Sequence, residues 1–303
     1  MLHRFEPTHF YNSFGPHPPA FEIGDGDTLL TRTLDARGKD AQGHQRAQRG
    51  NPLTGPIYVR GAALGDTLEV TLEEIRPNRR YGFCGRYVAP HTVNPFYVPH
   101  LPITEDLAEW DVDAAQGVAR LTSPEGHLAE KIWPLDPMLG CIGVAPPYRQ
   151  AIASSTSGTY GGNMDYRGLR AGAVVYFPVY EPGALLFIGD GHALQGDGEL
   201  VGMGIEISMD VRLTVRVLKG KRIGWPRGQD AEFLFTLGNA RPLEEALQYA
   251  TTEMLHWLQG DYGLSPVEAS ILLGQCGRYE IGNVFDPAYT IACKVAKRDL
   301  PHG

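Results

Sequence analysis

Acidic and imidazole side chains concentrate in one glycine-rich segment, residues 189–199 (GDGHALQGDGE). Asp190 and His192 are two residues apart, and so are Asp197 and Glu199. Alternate residues of an extended chain point to the same side, so each pair can face one ligand. Carboxylates and imidazoles are ligands of Zn²⁺ and similar cations. The same residue types are also common in surface turns, and composition alone leaves both interpretations open.

Two shorter segments add carboxylate and amide groups. In the segment 161–165 (GGNMD), Asn163 and Asp165 again alternate, and the double glycine allows close approach of the backbone. The segment 35–38 (DARG) contributes Asp35 in an acidic turn. Read alone, the first segment is more typical of a glycine turn before a strand, and the second is a weak signal.

Taken together, these segments resemble the sequence blocks of the acetamidase/formamidase family. The resemblance runs from Asp35 to Lys219 and, more faintly, through residues 286–289 (DPAY). The matching segments are NPLTGPIYV at 51–59, GA at 61–62, GD at 65–66, GVAP at 143–146, GGNMD at 161–165, GAL at 183–185, GDGH at 189–192 and QGDGE at 195–199. The family often has Pro-Pro-Gly before its Gly-Gly-Asn, whereas this chain has SSTSGTY at 154–160, so the resemblance leaves the substrate open.

The resemblance implies a β-rich fold and hydrolysis of short aliphatic amides, such as formamide or acetamide, to a carboxylate and ammonia. It also implies a divalent metal in at least some members and a homodimer or larger homo-oligomer. Amide hydrolysis needs an activated water, a stabilised oxyanion and a proton for the departing ammonia. A bound cation polarises the carbonyl and lowers the pKa of its water toward ~7, and a free carboxylate moves the proton.

Seven polar residues of the matching segments are predicted to form the site. Their predicted roles are metal ligands for Asp35, Asp190 and His192, catalysis for Glu199 and Asp165, and substrate binding for Asn163 and Gln195. Glu199 is predicted as the base and Asp165 as a second acid or a further ligand, although the sequence does not distinguish ligand from base. We expect the scattered carboxylates and His192 to converge on one cleft at strand ends. A set without thiolate suits Zn²⁺, with Ca²⁺ or Mn²⁺ as alternatives.

Two other functions fit parts of the sequence. Residues 154–158 (SSTSG) resemble in composition the serine-rich loop of the amidase signature family, which uses a serine nucleophile and a lysine base. The lysines that flank this loop, Lys131 and Lys219, are distant in sequence, which disfavours that mechanism. A non-catalytic β-sandwich module that binds a metal or a sugar could also carry an acidic glycine-rich loop, but such a module rarely needs polar clusters from three distant segments.

The composition is that of a globular protein, since 43% of the 303 residues are hydrophobic and 20% are charged. The net charge of −8 disfavours binding to nucleic-acid phosphates. Four scattered cysteines without a C-x-x-C pair fit a reducing compartment. The first ten residues contain no apolar leader, and no run approaches the ~20 apolar residues of a membrane helix. We therefore expect a cytoplasmic protein without membrane contact.

Strands are predicted to position this chemistry, because apolar and polar residues alternate in several segments. Leu68, Val70 and Leu72 alternate with polar residues, and residues 205–217 form the longest such run. Apolar runs at 174–179 and 184–188, separated by the turn signal EPG, predict a hairpin that leads directly into residues 189–199.

Helical periodicity is confined to the region near the C-terminus. It predicts one helix from Pro242 to Gly260 and a second that starts at the capping box 265–268 (SPVE) and extends to about Leu273. An apolar strand follows at 289–295. We predict a mainly β fold of packed, sandwich-like sheets with two short helices near the C-terminus. Residues 1–303 would form a single domain, with residues 240–303 as a partly helical C-terminal extension.

Overall fold

The computed structural model describes residues 1–102, 104, 106–122 and 126–301, and within these ranges the chain folds into four β-sheets and two α-helices. The strands are β1 Leu2–Arg4, β2 Ser13–Phe14, β3 Phe21–Ile23, β4 Thr28–Arg32, β5 Thr54–Val59, β6 Thr67–Pro77, β7 Tyr81–Cys84, β8 Ala108–Asp113, β9 Val118–Leu121, β10 Trp133–Pro134, β11 Met138–Gly143, β12 Ile152–Ala153, β13 Ser157–Gly158, β14 Gly161–Asn163, β15 Val174–Pro178, β16 Leu186–His192, β17 Met209–Leu218, β18 Arg227–Gln229, β19 Phe233–Ala240, β20 Arg278–Ile281 and β21 Tyr289–Ala296. The helices are α1 Leu243–Tyr262 and α2 Pro266–Cys276. Short 3₁₀ turns cover Pro90–Thr92, Val98–His100, Gly126–Leu128, Pro147–Arg149 and Lys297–Asp299. Neither α-helix of this described part has the length and apolar character needed to cross a bilayer.

Two large sheets share the main hydrophobic core. The nine-stranded sheet has the order β1-β4-β17-β6-β15-β18-β19-β21-β20, and the six-stranded sheet has the order β13-β14-β11-β16-β5-β3. A four-stranded sheet, β10-β9-β8-β7, and the pair β12-β2 complete the set in the described ranges. Buried residues of both large sheets, such as Phe177 of β15 and Phe187 of β16, belong to one core. The predicted fold class, packed β-sheets with two helices near the C-terminus, is confirmed.

The predicted hairpin at 174–188 is wrong, although both of its strands exist. β15 pairs with β6 and β18 in the nine-stranded sheet, whereas β16 pairs with β11 and β5 in the six-stranded sheet. Between them, Ala184 and Leu185 adopt left-handed backbone conformations with φ of 57° and 60°. The EPG turn therefore carries the chain from one sheet to the other, and β16 still delivers its last residues to the region of residues 189–199.

The longest predicted strand is shorter than its alternating sequence suggests. β17 begins at Met209 and pairs with β6 and β4, so residues 205–208 lie outside it. In that preceding stretch, Glu206 forms isolated bridges with Phe83 on one side and His192 on the other. The strand prediction failed here because the backbone of Glu206 pairs with two other parts of the chain.

Both predicted helices are present and extend beyond the predicted ends. Gly260 does not end α1, which has 20 residues and ends before Gly263 in a left-handed conformation. A single glycine in a helix costs about 1 kcal/mol relative to alanine, which the packing of a long helix can offset. The capping box of α2 is confirmed, with Ser265 and Glu268 bonding to each other's backbone. Within the predicted C-terminal extension, β21 pairs with β19 over eight residues; the single-domain organisation stays a prediction.

Helix α1 packs on the nine-stranded sheet through a glycine of β19. A Cβ atom added to Gly238 would lie 1.9 Å from the carbonyl oxygen of Ala246 and 2.6 Å from the amide nitrogen of Ala250. Ala246, Ala250 and Met254 of α1 are fully buried in the second core, together with Cys293 of β21. The close approach of helix and sheet therefore depends on the missing side chain.

We expect Gly238→Ala to lower the free energy of unfolding by at least ~1–3 kcal/mol, the usual cost of overpacking, because α1 must move away from the sheet. The control is Gly260→Ala in helix α1, where nothing lies within 4 Å of the added Cβ. That change should be neutral or stabilise by ~0.5 kcal/mol or more. Chemical denaturation of both variants measures the difference. Equal stability for the two variants would contradict this packing.

Candidate active site

Three neighbouring strands of the six-stranded sheet bring the candidate site together. β16 ends at Asp190, Gly191 and His192, and it pairs with β11, where Met138 lies opposite His192. β11 also pairs with β14, where Cys141 lies opposite Asn163. Asp165 follows two residues after that pair. The segments singled out in the sequence at 161–165 and 189–192 are therefore adjacent in the fold.

His192 lies between two pairs of carboxylates. One group consists of Asp165, His192 and Glu199, and the other of Asp190, His192 and Glu206; within each group the ligand atoms lie within 4.8 Å of one another. His192 Nε2 is 2.9 Å from Glu206 Oε1 and 3.7 Å from Asp190 Oδ1, whereas Nδ1 is 4.0 Å from Asp165 Oδ1. All five residues are at most 6% exposed. The imidazole thus presents one nitrogen to each pair.

Several polar atoms of this cluster are buried without a hydrogen-bond partner among the described residues. They are Asp165 Oδ1, Asp190 Oδ1, Glu206 Oε2 and His192 Nε2, whose 2.9 Å contact with Glu206 Oε1 does not have the geometry of a hydrogen bond. Three of these four belong to the group on the Nε2 side of the imidazole. Buried polar atoms are nearly always hydrogen-bonded, so a set of orphaned acceptors facing one another indicates a site for a cation or for protons.

Side-chain amides and a thiol surround the carboxylates. Asn51 donates a hydrogen bond from Nδ2 to Asp190 Oδ2 at 2.9 Å. The buried Cys141 thiol donates to Asn163 Oδ1 at 2.7 Å, and Asn163 Nδ2 donates to Asp286 Oδ2. Both ends of the Asn163 amide therefore have protein partners, and its predicted contact with substrate stays a prediction.

Gln195 contacts protein groups at both ends of its amide. Its Oε1 lies 2.7 Å from His192 Nδ1, and its Nε2 donates to the backbone carbonyls of Asp165 and Gly282. The side chain is 5% exposed. Its predicted role in substrate binding is untested, whereas its contact with the imidazole is part of the structure.

Burial and mutual repulsion raise the pKa values of the carboxylates. Burial raises the pKa of Glu206 to about 8 and that of Asp286 to about 6. For Asp165 and Glu199, burial raises the pKa well above the usual range; Glu199 adds to the effect at Asp165, while His192 opposes it at Glu199. Without a cation, this cluster therefore retains protons near neutral pH.

The pKa of His192 is also shifted by its surroundings. Burial alone would lower the pKa of its imidazole, but the carboxylates of Glu206 and Asp190 outweigh that effect and raise it well above the usual value. A cation that binds at a ring nitrogen therefore competes with a proton for that nitrogen.

Four residues of the site have backbone conformations that are unusual outside glycine. The φ angles are 53° for Asn51, 43° for Asp165, 53° for Asp190 and 47° for Glu199. Left-handed conformations of this kind cost about 1–3 kcal/mol each and persist only where the surrounding structure enforces them. Such a concentration around one histidine is typical of a functional site.

Asp35 is not a member of either group around His192, so its predicted role as a metal ligand finds no support here. Its Oδ1 accepts hydrogen bonds from the backbone amides of Arg37 and Lys39, and its Oδ2 forms an ion pair with the buried Arg79 side chain. These contacts hold the start of the loop that leads to Asn51. The structure gives Asp35 the role of shaping that loop.

Three acidic and amide residues of the site were missed in the sequence. Glu206 is one of the polar residues that alternate with apolar residues at 205–217. Asp286 lies in the faint DPAY match, and Asn51 begins the NPLTGPIYV match, so both carried a signal from the resemblance alone. Their proximity to His192 depends on pairing between distant segments, which no spacing in the sequence encodes.

The serine-rich loop has a structural role. Ser154 is buried and its hydroxyl donates to the carbonyl of Gly50 at 2.9 Å, next to Asn51. The ammonium of Lys219 is paired with Asp66. These contacts disfavour the alternative of a serine nucleophile with Lys219 as base.

Two glycines allow the charged groups to approach one another. A Cβ on Gly140 would lie 2.3 Å from Asp165 Oδ1 and 2.7 Å from Asp190 Oδ2. A Cβ on Gly204 would lie 2.6 Å from His192 Nδ1. A side chain at either position would displace the groups that form the cluster.

We expect Gly140→Ala to weaken Zn²⁺ binding by ~10-fold or more, because the two carboxylates must separate. Isothermal titration with Zn²⁺ measures this. Gly196→Ala is the control, since nothing lies within 4 Å of its added Cβ, and it should bind as wild type does. Wild-type affinity in Gly140→Ala would show that the spacing of these carboxylates does not matter.

The sequence and the structure both match known amidases. Residues 148–242 match the model of the Acetamidase/Formamidase family. The chain is 27% identical over 214 residues to a formamidase of Methylophilus methylotrophus, covering 55% of this chain and 51% of that protein. It is 27% identical over 243 residues to an acetamidase of Mycolicibacterium smegmatis, covering 63% and 59%. The chain therefore spans only about half to three fifths of the lengths of these two relatives.

A solved structure extends the match to the whole fold. The crystal structure of an acetamidase from Yersinia enterocolitica superimposes with a TM-score of 0.86 at 30% identity. The match covers 100% of this chain and 94% of that one. At this identity and coverage the likeness includes the segments that form the site. The chain belongs to the acetamidase/formamidase family.

Proposed function

We propose that this protein hydrolyses short aliphatic amides, such as formamide or acetamide, to a carboxylate and ammonia with the help of a divalent cation. The observation that carries the proposal is the buried cluster around His192, in which orphaned ligand atoms lie beside a second pair of carboxylates with raised pKa values. Membership of the family supports the amide substrate class.

Asp190, His192 and Glu206 are the residues that fit a cation. Each offers one buried atom that makes no well-aligned hydrogen bond to the described residues: Asp190 Oδ1, Glu206 Oε2 and His192 Nε2, which lies 2.9 Å from Glu206 Oε1. Two carboxylates and one imidazole form a donor set that suits Zn²⁺ and also accepts Mn²⁺. We propose Zn²⁺. Two of these ligands were predicted from the sequence, and Glu206 takes the place that had been predicted for Asp35.

When bound, the cation would polarise the amide carbonyl and make water more acidic. Glu199 and Asp165 are proposed to move the protons. Burial raises the pKa of both carboxyl groups well above the usual range, which favours proton transfer by them over permanent ionisation. Glu199 accepts a proton from the attacking water as the new C–O bond forms. Asp165 gives a proton to the amide nitrogen as the C–N bond breaks, so the nitrogen leaves as ammonia.

Asp286 connects this pair to the surface of the protein. It is partly exposed, its carboxylate accepts a hydrogen bond from Asn163, and it lies next to Asp165. Asn283 Nδ2 lies 3.4 Å from Asp165 Oδ2 and orients that carboxylate. Asn283 and Asp286 thus help to position Asp165.

A homodimer or larger homo-oligomer and a cytoplasmic location complete the proposal. Val267 and Ile271 of α2 are 67% and 61% exposed, one helical turn apart, and offer an apolar surface for a second copy. All four cysteines carry free thiols, which is typical of a reducing compartment.

We expect chelation to abolish ammonia release from formamide, acetamide and propionamide, and added Zn²⁺ or Mn²⁺ to restore it. Coupled ammonia detection measures the turnover, and elemental analysis measures the metal content of the same samples. Full turnover by protein shown to contain no metal would contradict the role of the cation. Zinc-loaded protein that releases no ammonia from any of these amides would contradict the amide substrate.

Substitutions should distinguish the role of the Asp165–Glu199 pair from that of the Asp190–Glu206 pair. Glu199→Gln cannot accept a proton, so we expect it to retain its zinc while kcat falls by ~10²-fold or more. Glu206→Gln removes a ligand, so metal content and activity should fall together. Glu181→Gln, in a buried glutamate that pairs with Arg149, is the control and should retain both. If Glu199→Gln turned over at nearly the wild-type rate, Asp165 would become the candidate base.

A further inference from the structure

The amide of Gln195 has one possible orientation. Its Nε2 donates to the backbone carbonyl oxygen of Asp165 and to that of Gly282, which lies 3.3 Å away. Carbonyl oxygens only accept hydrogen bonds, so the nitrogen of the amide has to lie on that side. The oxygen Oε1 therefore faces His192, 2.7 Å from Nδ1.

This orientation fixes a proton on His192. Because an amide oxygen only accepts, Nδ1 of the imidazole has to carry the hydrogen of this bond. A ring with a hydrogen on Nδ1 can offer a lone pair only at Nε2. Nε2 faces Glu206 and Asp190, whereas Nδ1 faces the side of Asp165.

The ring is also held against rotation. The backbone of Gly204 lies so close that an added Cβ would be 2.5 Å from Cγ of His192 and 2.6 Å from Nδ1. Turning the imidazole over would place a carbon against Oε1 of Gln195 and leave that buried oxygen without its hydrogen bond. Leaving a buried acceptor unsatisfied in this way is unfavourable. The packing and the hydrogen bond therefore favour the same ring orientation.

We infer that Gln195 is a positioning residue that directs the cation to the Asp190–Glu206 side of His192 and keeps it away from the Asp165–Glu199 side. This inference rests on the proposed function. Both sides carry two buried carboxylates, so carboxylates alone do not decide between them. The hydrogen bond from Nδ1 to Gln195 decides, because it leaves Nε2 as the only nitrogen that can bind. The Asp165–Glu199 pair then stays free to move protons.

Gln195→Leu tests the inference, since leucine keeps the approximate volume and removes the acceptor. Zn²⁺ affinity, measured by competition with a chromophoric chelator, should fall by ~10–100-fold, as for other changes to a group that holds a ligating histidine. Gln229→Leu is the matched control. Gln229 lies on β18 of the other large sheet, where its side-chain amide donates a hydrogen bond to the hydroxyl of Tyr176. It should bind Zn²⁺ within about twofold of wild type. A purely structural role of Gln195 would lower the unfolding temperature without changing Zn²⁺ affinity, and that result would overturn the inference.

The protonated nitrogen can be read in the wild-type protein, so the inference stays testable if Gln195→Leu does not fold. NMR of Zn²⁺-loaded protein with ¹⁵N-labelled histidine should show a hydrogen on Nδ1 of His192 and the cation on Nε2, with the signal assigned by its absence from His192→Asn. A cation on Nδ1 with the hydrogen on Nε2 would overturn the inference. Amide turnover is not a readout here, so zinc-loaded protein with the expected ring but no ammonia release would overturn the proposed function alone.

Discussion

The burial of four carboxylates around one imidazole is the constraint on which the rest of this site depends. Asp165, Asp190, Glu199 and Glu206 share a space that excludes most water, and the partly exposed Asp286 lies beside them. Within the described part of the chain, no lysine or arginine forms an ion pair with any of them. Uncompensated buried charge is costly, so the cluster must hold protons, a cation or both. The raised pKa values and the orphaned acceptors are two consequences of this single requirement.

Assembling such a cluster places strain on the backbone. Three of its acids, Asp165, Asp190 and Glu199, adopt left-handed conformations, and Gly140 leaves out the side chain that would force two of them apart. The flanking sheets provide the compensating stability through a core shared by β15 and β16. Function is therefore concentrated at the ends of strands, where local strain is tolerated because the strands themselves are well packed.

Strands and helices with regularly repeating apolar residues could be predicted from the sequence, since β6 and both helices bury one face against a neighbour. The prediction failed where a local signal competed with long-range pairing. The EPG turn indicated a hairpin, yet left-handed residues after it redirect the chain to another sheet. Glu206 looked like the polar partner of a half-buried strand, yet its backbone pairs with Phe83 and His192.

Part of the site could also be predicted from local sequence patterns. Asp165, Asp190, His192 and Glu199 occur in unusual glycine-rich segments, and the structure brings them together. Asp35 shares the residue type of a ligand, but the adjacent amides and Arg79 use its oxygens to shape a loop. No local pattern distinguishes a carboxylate that holds a loop from one that is left without a partner, because the difference lies in which distant groups reach it.

In the proposed site, Asp190, His192 and Glu206 hold a divalent cation, and Asp165 and Glu199 remain free of it. Anomalous diffraction at the zinc edge, from crystals of the full chain grown with Zn²⁺, tests this most directly. We expect one strong peak within bonding distance of His192 Nε2, Asp190 and Glu206. A peak between Asp165, Glu199 and Nδ1, or no peak near His192 in catalytically active crystals, would contradict it.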